Sequence, residues 1–278
     1  MNISLKDIPY EKFGLNPEKH SPVLIPFTLN YSPELGKRKR PCVIICPGGG
    51  YEFLSDRENQ AVAMRFASYG INAFVLKYSV KSPFPAALLE LACAVKYVRE
   101  NAEKYDIDPD ATIVCGFSAG GHLCASLGTL YNSYLDSFFT PSEIKPDAML
   151  LSYPVITSGK YCHSGSIESI LGKNPTEELL KTVSLEKQVN AGTPKTFIWH
   201  NADDKTVPVE NTIDFIKALS ENNIVFESHI FPYGGHGLAL ADESTAKHEA
   251  HMNSTCAQWF NLAIEWIKRE FNTVNFSE

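Results

Sequence analysis

From residue 41 onward, short continuous apolar runs alternate with longer stretches whose apolar positions recur every three or four residues. The first pattern predicts strands buried on both faces and the second predicts helices with one buried stripe. "PCVIIC", "INAFVLKYSV", "ATIVCGF", "AMLLSYPV", "KTFIWH" and "VFESHIF" read as strands. Between them, Gln60 to Tyr69 reads as a helix closed by Gly70. Pro85 opens a longer helix with Leu88, Leu91, Ala92, Val95 and Val98 at helical spacing, and "DIDPD" ends it. Asn211 is placed to cap a helix holding Ile213, Ile216 and Leu219. A final helix over 254–271 stripes Trp259, Leu262, Ala263, Trp266 and Ile267 along one face, a core stripe. Residues 156–192 break the alternation with Ser-Gly and Gly-Lys-Asn-Pro signals and short amphipathic pieces, and read as a cap-like insertion within a single domain, 1–278. Alternating strands and helices imply an α/β class: a mostly parallel central sheet covered by helices on both faces. Ligands gather at the carboxyl ends of such strands.

Composition sharpens this little. The 278 residues are 44% hydrophobic and 21% charged, enough for one large core. Net charge is −7, and the one basic cluster, "GKRKR" (Gly36 to Arg40), reads as a solvated loop, so no nucleic-acid partner is expected. Seven scattered cysteines, with no C-x-x-C pattern, read as reduced buried thiols. Without a leader-like or membrane-length apolar run, a cytoplasmic chain with no membrane partner is expected. His248 and His251 read as a solvent face, so no metal is expected, and a homo-oligomer is left open.

The candidate chemistry lies in four loops. "IVCGFSAGGHLCASLG" puts Ser118 between Gly116 and Gly120 on a bend from strand to helix. A serine hydroxyl is a poor nucleophile unless a base lies within hydrogen-bond reach and a third group orients that base. A strand–Gly-x-Ser-x-Gly–helix turn exposes such a serine beside helix N-terminal amides. In "CPGGGYEF", three glycines bring backbone N–H groups close to a substrate. Gly49 and Gly50 would donate to an oxyanion, together with the Ala119 amide after the serine. A phosphate loop is disfavoured, because no Lys-Ser/Thr follows and no G-x-G-x-x-G occurs. "WHNADDKTVPVEN" offers two adjacent acids, Asp203 and Asp204, and "FPYGGHGLAL" places His236 among glycines after the last strand. The order serine, acid, histidine is that of the α/β-hydrolases.

Together these segments resemble α/β-hydrolase esterases and lipases. The chain is most similar to the small carbohydrate (xylan) acetyl-esterase-like group, some of whose members are labelled xylanases by association. The resemblance covers about residues 40 to 270 through "PGGGY", "GFSAGGHL", "WHNADDKTVPVEN" and "GGHGL". Its D-x-x-V-P form selects Asp204, followed by Val207 and Pro208, and leaves Asp203 as a loop residue. Pro47 stands where many relatives carry His, Asn201 where Gly is usual, and Glu90 where Asp is frequent. "SILGKNP" resembles the group's insertion, which would bring residues near His163 to Gly172 over the site; Tyr51 and His163 are the candidate pocket residues. His122 and His200 are read as packing residues. The resemblance implies a cofactor-free serine esterase with Ser118, Asp204 and His236 as triad. Its substrate would be a small short-chain ester, an acetylated saccharide among the candidates. An amide hydrolase (formamidase or small peptidase) and a non-catalytic hydrolase-like binding module are the alternatives.

Overall fold

A computed structural model of the chain describes residues 2–30, 32–35 and 38–271. Among these residues eight strands form one sheet in the order β1-β2-β4-β3-β5-β6-β7-β8. They are β1 (Ile3–Ser4), β2 (Val23–Phe27), β3 (Arg40–Cys46), β4 (Asn72–Lys77), β5 (Ile107–Phe117), β6 (Ala148–Ser152), β7 (Lys195–Asn201) and β8 (Phe226–Phe231). All neighbours from β4 to β8 run parallel, while β2 is antiparallel to both β4 and β1.

The continuous apolar runs give β3, β4, β5, β6 and β7 two buried faces, while β8 at the sheet edge is only half-buried. Cys42, Ile44 and Cys46 of β3 join the core beneath α2 (Ala86–Glu100), α3 (Ala119–Leu130) and α7 (Glu210–Glu221). Val43 and Ile45 join the opposite core, beneath α1 (Gln60–Ser68) and α8 (Gln258–Glu270). Here Trp199 and Trp259 stack with ring centroids 5.3 Å apart, so the C-terminal aromatic stripe is core. A one-turn helix, α4 (Pro141–Ile144), precedes β6, and between β6 and β7 lie two short helices, α5 (Ser164–Leu171) and α6 (Glu177–Thr182), and a 3₁₀ turn at Leu185–Lys187.

Three features differ from the sequence expectations. β1 and β2 escape the periodicity because both are short and Pro26 interrupts an otherwise strand-like run. β1 reaches only to Leu24, so Pro26 stands where β2 is itself the edge and a missing N–H can be spared. α2 already ends at Glu100, and β5 begins at Ile107 and runs through Pro109, so "DIDPD" is a turn at Asp106 followed by strand rather than the end of the helix. Asn211 does not cap α7. Its Oδ1 accepts from the Ile156 and Thr157 amides, and its Nδ2 donates to Tyr161 and Pro208 carbonyls, tying α7 to the segment after β6.

Within the basic cluster, Gly36 and Lys37 lie outside the described residues. Arg40 is not loop: it opens β3 and donates to the Gly70 carbonyl. The seven cysteines are free, six buried and Cys162 half-buried. Among the described residues no helix is long and apolar enough to cross a membrane.

Candidate active site

The loops after β3, β5, β7 and β8 meet at the carboxyl end of the sheet. Ser118 sits between β5 and α3 at φ 53°, ψ −116°, a left-handed conformation that costs a non-glycine residue roughly 1–3 kcal/mol. The turn is held by the Ser118 amide donating to Ser152 O, while its carbonyl accepts from the His122 and Val155 amides. Glycine at 120 is a steric necessity, because a Cβ there would lie 2.0 Å from the Cys46 carbonyl oxygen.

The Ser118 hydroxyl donates to His236 Nε2 at 2.9 Å, and His236 Nδ1–H donates to Asp204 Oδ2 at 2.6 Å. Four donors converge on the buried Asp204 carboxylate. Its Oδ1 accepts from the Thr206 and Val207 amides, and its Oδ2 is shared by His236 and His200 Nε2–H, which divides between this oxygen at 3.2 Å and the Val207 carbonyl at 3.0 Å. Burial pushes this carboxyl up, but the hydrogen bonds from His200, His236 and the Val207 amide outweigh it and hold Asp204 well below the usual carboxylate range. Asp203 does a different job: its Oδ1 accepts from the Gly234 and Gly235 amides at 3.0 and 2.9 Å and shapes the loop before His236. Asn201 supports the same loop by donating to the Gly235 carbonyl.

The glycine loop after β3 folds back on itself. Gly49 O accepts from the Glu52 and Phe53 amides, and Gly48 O from the Ser55 amide. Gly49 has φ 120°, and a Cβ there would lie 2.2 Å from Phe53 O, so no side chain fits. Among the described residues the Gly49 and Gly50 N–H groups have no protein acceptor. Ala119 is the first residue of α3, where an N–H has no intrahelical partner. Gly49 and Gly50 line a cavity of about 400 Å³ together with Ser118, His163 and His236, with Glu52, Phe53, Arg57, Glu58 and Thr206 also in its wall; Ala119 follows directly on Ser118.

His163 lies in that wall as the N-cap of α5, where its Nδ1 accepts from the Ser166 amide. The ring proton is therefore on Nε2. Burial lowers its basicity and neighbouring His236 lowers it further, against an opposing pull from Asp204. Tyr51 corrects the sequence expectation. Its ring is buried outside the cavity, and its hydroxyl donates to His122 Nδ1 at 2.9 Å. His122 in turn donates from Nε2 to Val183 O, so this histidine links the glycine loop to the segment between β6 and β7 rather than bonding locally. Burial pulls its pKa down to about 4.

Sequence reasoning missed His200, Arg57, Glu58 and Tyr153. His200 could have been suspected from its place four residues before Asp204; the other three carry no local signature. His248 and His251 face each other with centroids 3.7 Å apart, and no group of three metal-ligating side chains occurs among the described residues.

Several known proteins are similar to this chain. The chain is 43% identical over 212 residues to endo-1,4-beta-xylanase B of Butyrivibrio fibrisolvens, covering 74% of this chain and 33% of that protein. It is 30% identical over 233 residues to the acetylxylan esterase of Xylanibacter ruminicola, covering 77% and 46%. The chain thus spans less than half the length of these two curated relatives. The solved acetyl ester-xyloside bifunctional hydrolase from Caldicellulosiruptor lactoaceticus superimposes with a TM-score of 0.84 at 37% identity, covering 99% of this chain and 97% of that one. The fold is that of the α/β-hydrolase esterases. The BD-FAE family description matches residues 30–219, and the chain belongs to the BD-FAE family.

Proposed function

We propose that the chain is a serine carboxylic-ester hydrolase acting on short-chain, chiefly acetyl, esters of sugars or oligosaccharides. The observation that carries this reading is the unbroken relay Ser118–His236–Asp204 at 2.9 and 2.6 Å beside three unengaged N–H groups. Ser118 Oγ attacks the ester carbonyl carbon while His236 Nε2 takes its proton. Asp204 keeps the imidazole proton on Nδ1 and stabilises the cation that forms. The carbonyl oxygen becomes an oxyanion held by the Gly49, Gly50 and Ala119 amides. Collapse expels the alcohol, which takes the proton from His236 and leaves an acyl-Ser118. Water, deprotonated by the same histidine, then releases the acid. No cofactor takes part in these steps.

Support for a small acyl group and a hydroxyl-rich alcohol comes from the cavity, near the lower end of the usual ligand-pocket range and walled by Glu52, His163 and Thr206. Residues 156–192 would serve as a short cap that brings His163 to the site. A cytoplasmic setting belongs to the same reading and is supported by seven free cysteines. Glycosidic cleavage needs two carboxylates flanking the bond. Of the two acids in the cavity wall, Glu58 is already engaged by the Gly48 amide and the Tyr153 hydroxyl. The test is acetate release from acetylated xylo-oligosaccharides alongside hydrolysis of an aryl xyloside. Acetate release and an inert xyloside are expected; xyloside cleavage without acetate release would overturn this reading.

A further inference from the structure

The two loops that must act on one substrate come from strands that do not touch. The glycine loop follows β3 and the histidine loop follows β8, with β5, β6 and β7 between them. No ladder of hydrogen bonds therefore sets their separation directly. Two consecutive residues in a single 3₁₀ turn, Asp56–Glu58, reach both loops. Glu58 Oε2 accepts from the Gly48 amide at 2.8 Å. That peptide is wedged against the nucleophile: a Cβ on Gly48 would meet Glu58 Oε2 at 2.8 Å and Ser118 Cβ at 3.0 Å. Arg57 points the other way. Its Nη1 donates to Gly237 O, the carbonyl just after His236, at 2.7 Å, and its Nε to Thr245 O at 2.6 Å.

Tyr153 closes the circuit. Its hydroxyl donates to Glu58 Oε1 at 2.7 Å and accepts from the Ala239 amide at 2.9 Å, and its ring meets the His236 ring edge-on with centroids 5.0 Å apart. Burying a carboxylate is costly unless it is hydrogen-bonded. Both Glu58 oxygens are used, one for each half of the site. We propose that Arg57 and Glu58 are positioning residues that fix the oxyanion donors relative to His236, with Tyr153 as their relay. Neither touches the reacting atoms in this role. The inference rests on the ester-hydrolase reading above.

A displacement of about 1 Å in such a geometry costs on the order of 10²-fold in rate. Glu58→Gln keeps one acceptor and sets an NH₂ against one of the two donors; Arg57→Met removes every bond to the histidine loop. Each variant should lose roughly ten- to hundredfold in kcat, with KM within about threefold, equally for acetyl and butyryl esters. Labelling of Ser118 by a fluorophosphonate should slow in proportion. Because both residues serve one separation, the double variant should lose less than the product of the single losses. Tyr153→Phe, which deletes a single oxygen, gives the same reading if Glu58→Gln does not fold. Folded variants that keep kcat and labelling within twofold of wild type, or lose activity through KM alone, would overturn the positioning role. Failure of wild-type Ser118 to label would instead overturn the ester-hydrolase reading on which it rests.

Discussion

Replacing Asp204 by Asn separates the roles of the two adjacent acids. Asp204 receives four donors, two backbone amides on Oδ1 and two imidazoles on Oδ2. Asn has one acceptor oxygen. If that oxygen stays with the Thr206 and Val207 amides, its NH₂ faces the N–H groups of His236 and His200. His236 then moves its proton to Nε2, where it confronts the Ser118 hydroxyl and can no longer accept from it. In the best-studied serine triad the same change costs about 10⁴-fold in kcat, and that is the loss expected here. If the amide flips, the Thr206 and Val207 N–H groups meet a donor instead, at roughly 1–3 kcal/mol for the buried Val207 amide. Either way the variant suffers.

Asp203 provides the contrast. Among the described residues only its Oδ1 is used, by two glycine amides, and Asn retains that oxygen in place. Asp203→Asn should stay within about tenfold of wild type, the scale of one modest hydrogen-bond adjustment. The assay is kcat/KM for p-nitrophenyl acetate on both purified variants, with thermal unfolding as a control on folding. An inactive Asp203→Asn together with an Asp204→Asn variant within tenfold of wild type would refute the reasoning and require the triad to be redrawn.

Acetyl esters should show a higher kcat/KM than octanoyl esters, since the cavity is small; a p-nitrophenyl ester series checks this, and equal turnover of octanoate would contradict it. His122 makes stability fall in mild acid. Its folded pKa is lowered from 6.5 to about 4, so between those values the unfolded chain binds a proton that the folded chain refuses. Stability from this source is complete above about pH 6.5 and declines as pH falls to 4, by up to about 3 kcal/mol. Denaturant unfolding of His122→Gln should show a correspondingly flatter pH dependence over that window, and an unchanged slope would remove His122 as its cause.

Much of this architecture was legible in the chain. The parallel strands read clearly because burial on both faces demands uninterrupted apolar runs, as in β3 and β6. The loops that carry Ser118, Asp204 and His236 were marked by glycines and by spacing, which are local signals. What stayed hidden depends on partners distant in sequence. Arg57 and Glu58 look like any exposed charged pair until Gly237 and Gly48 are brought beside them. Tyr51 reads from the sequence as a pocket residue, but its hydroxyl is claimed by His122. His200 looked like packing because nothing local shows that its Nε2–H shares an oxygen with His236. β2 was missed because Pro26 argues against a strand, and only the sheet order shows that it lies where a proline is tolerated.

The claim on which all else depends is that Ser118 forms the covalent bond. Intact-mass and peptide mass spectrometry after treatment with a fluorophosphonate measures this directly, with Ser118→Ala run in parallel. The account predicts one adduct per chain on the peptide containing Ser118, none on the Ala variant, and at least about 10⁴-fold lower esterase kcat in that variant. A folded Ser118→Ala protein that still labels stoichiometrically, or keeps a tenth of wild-type activity, would contradict it.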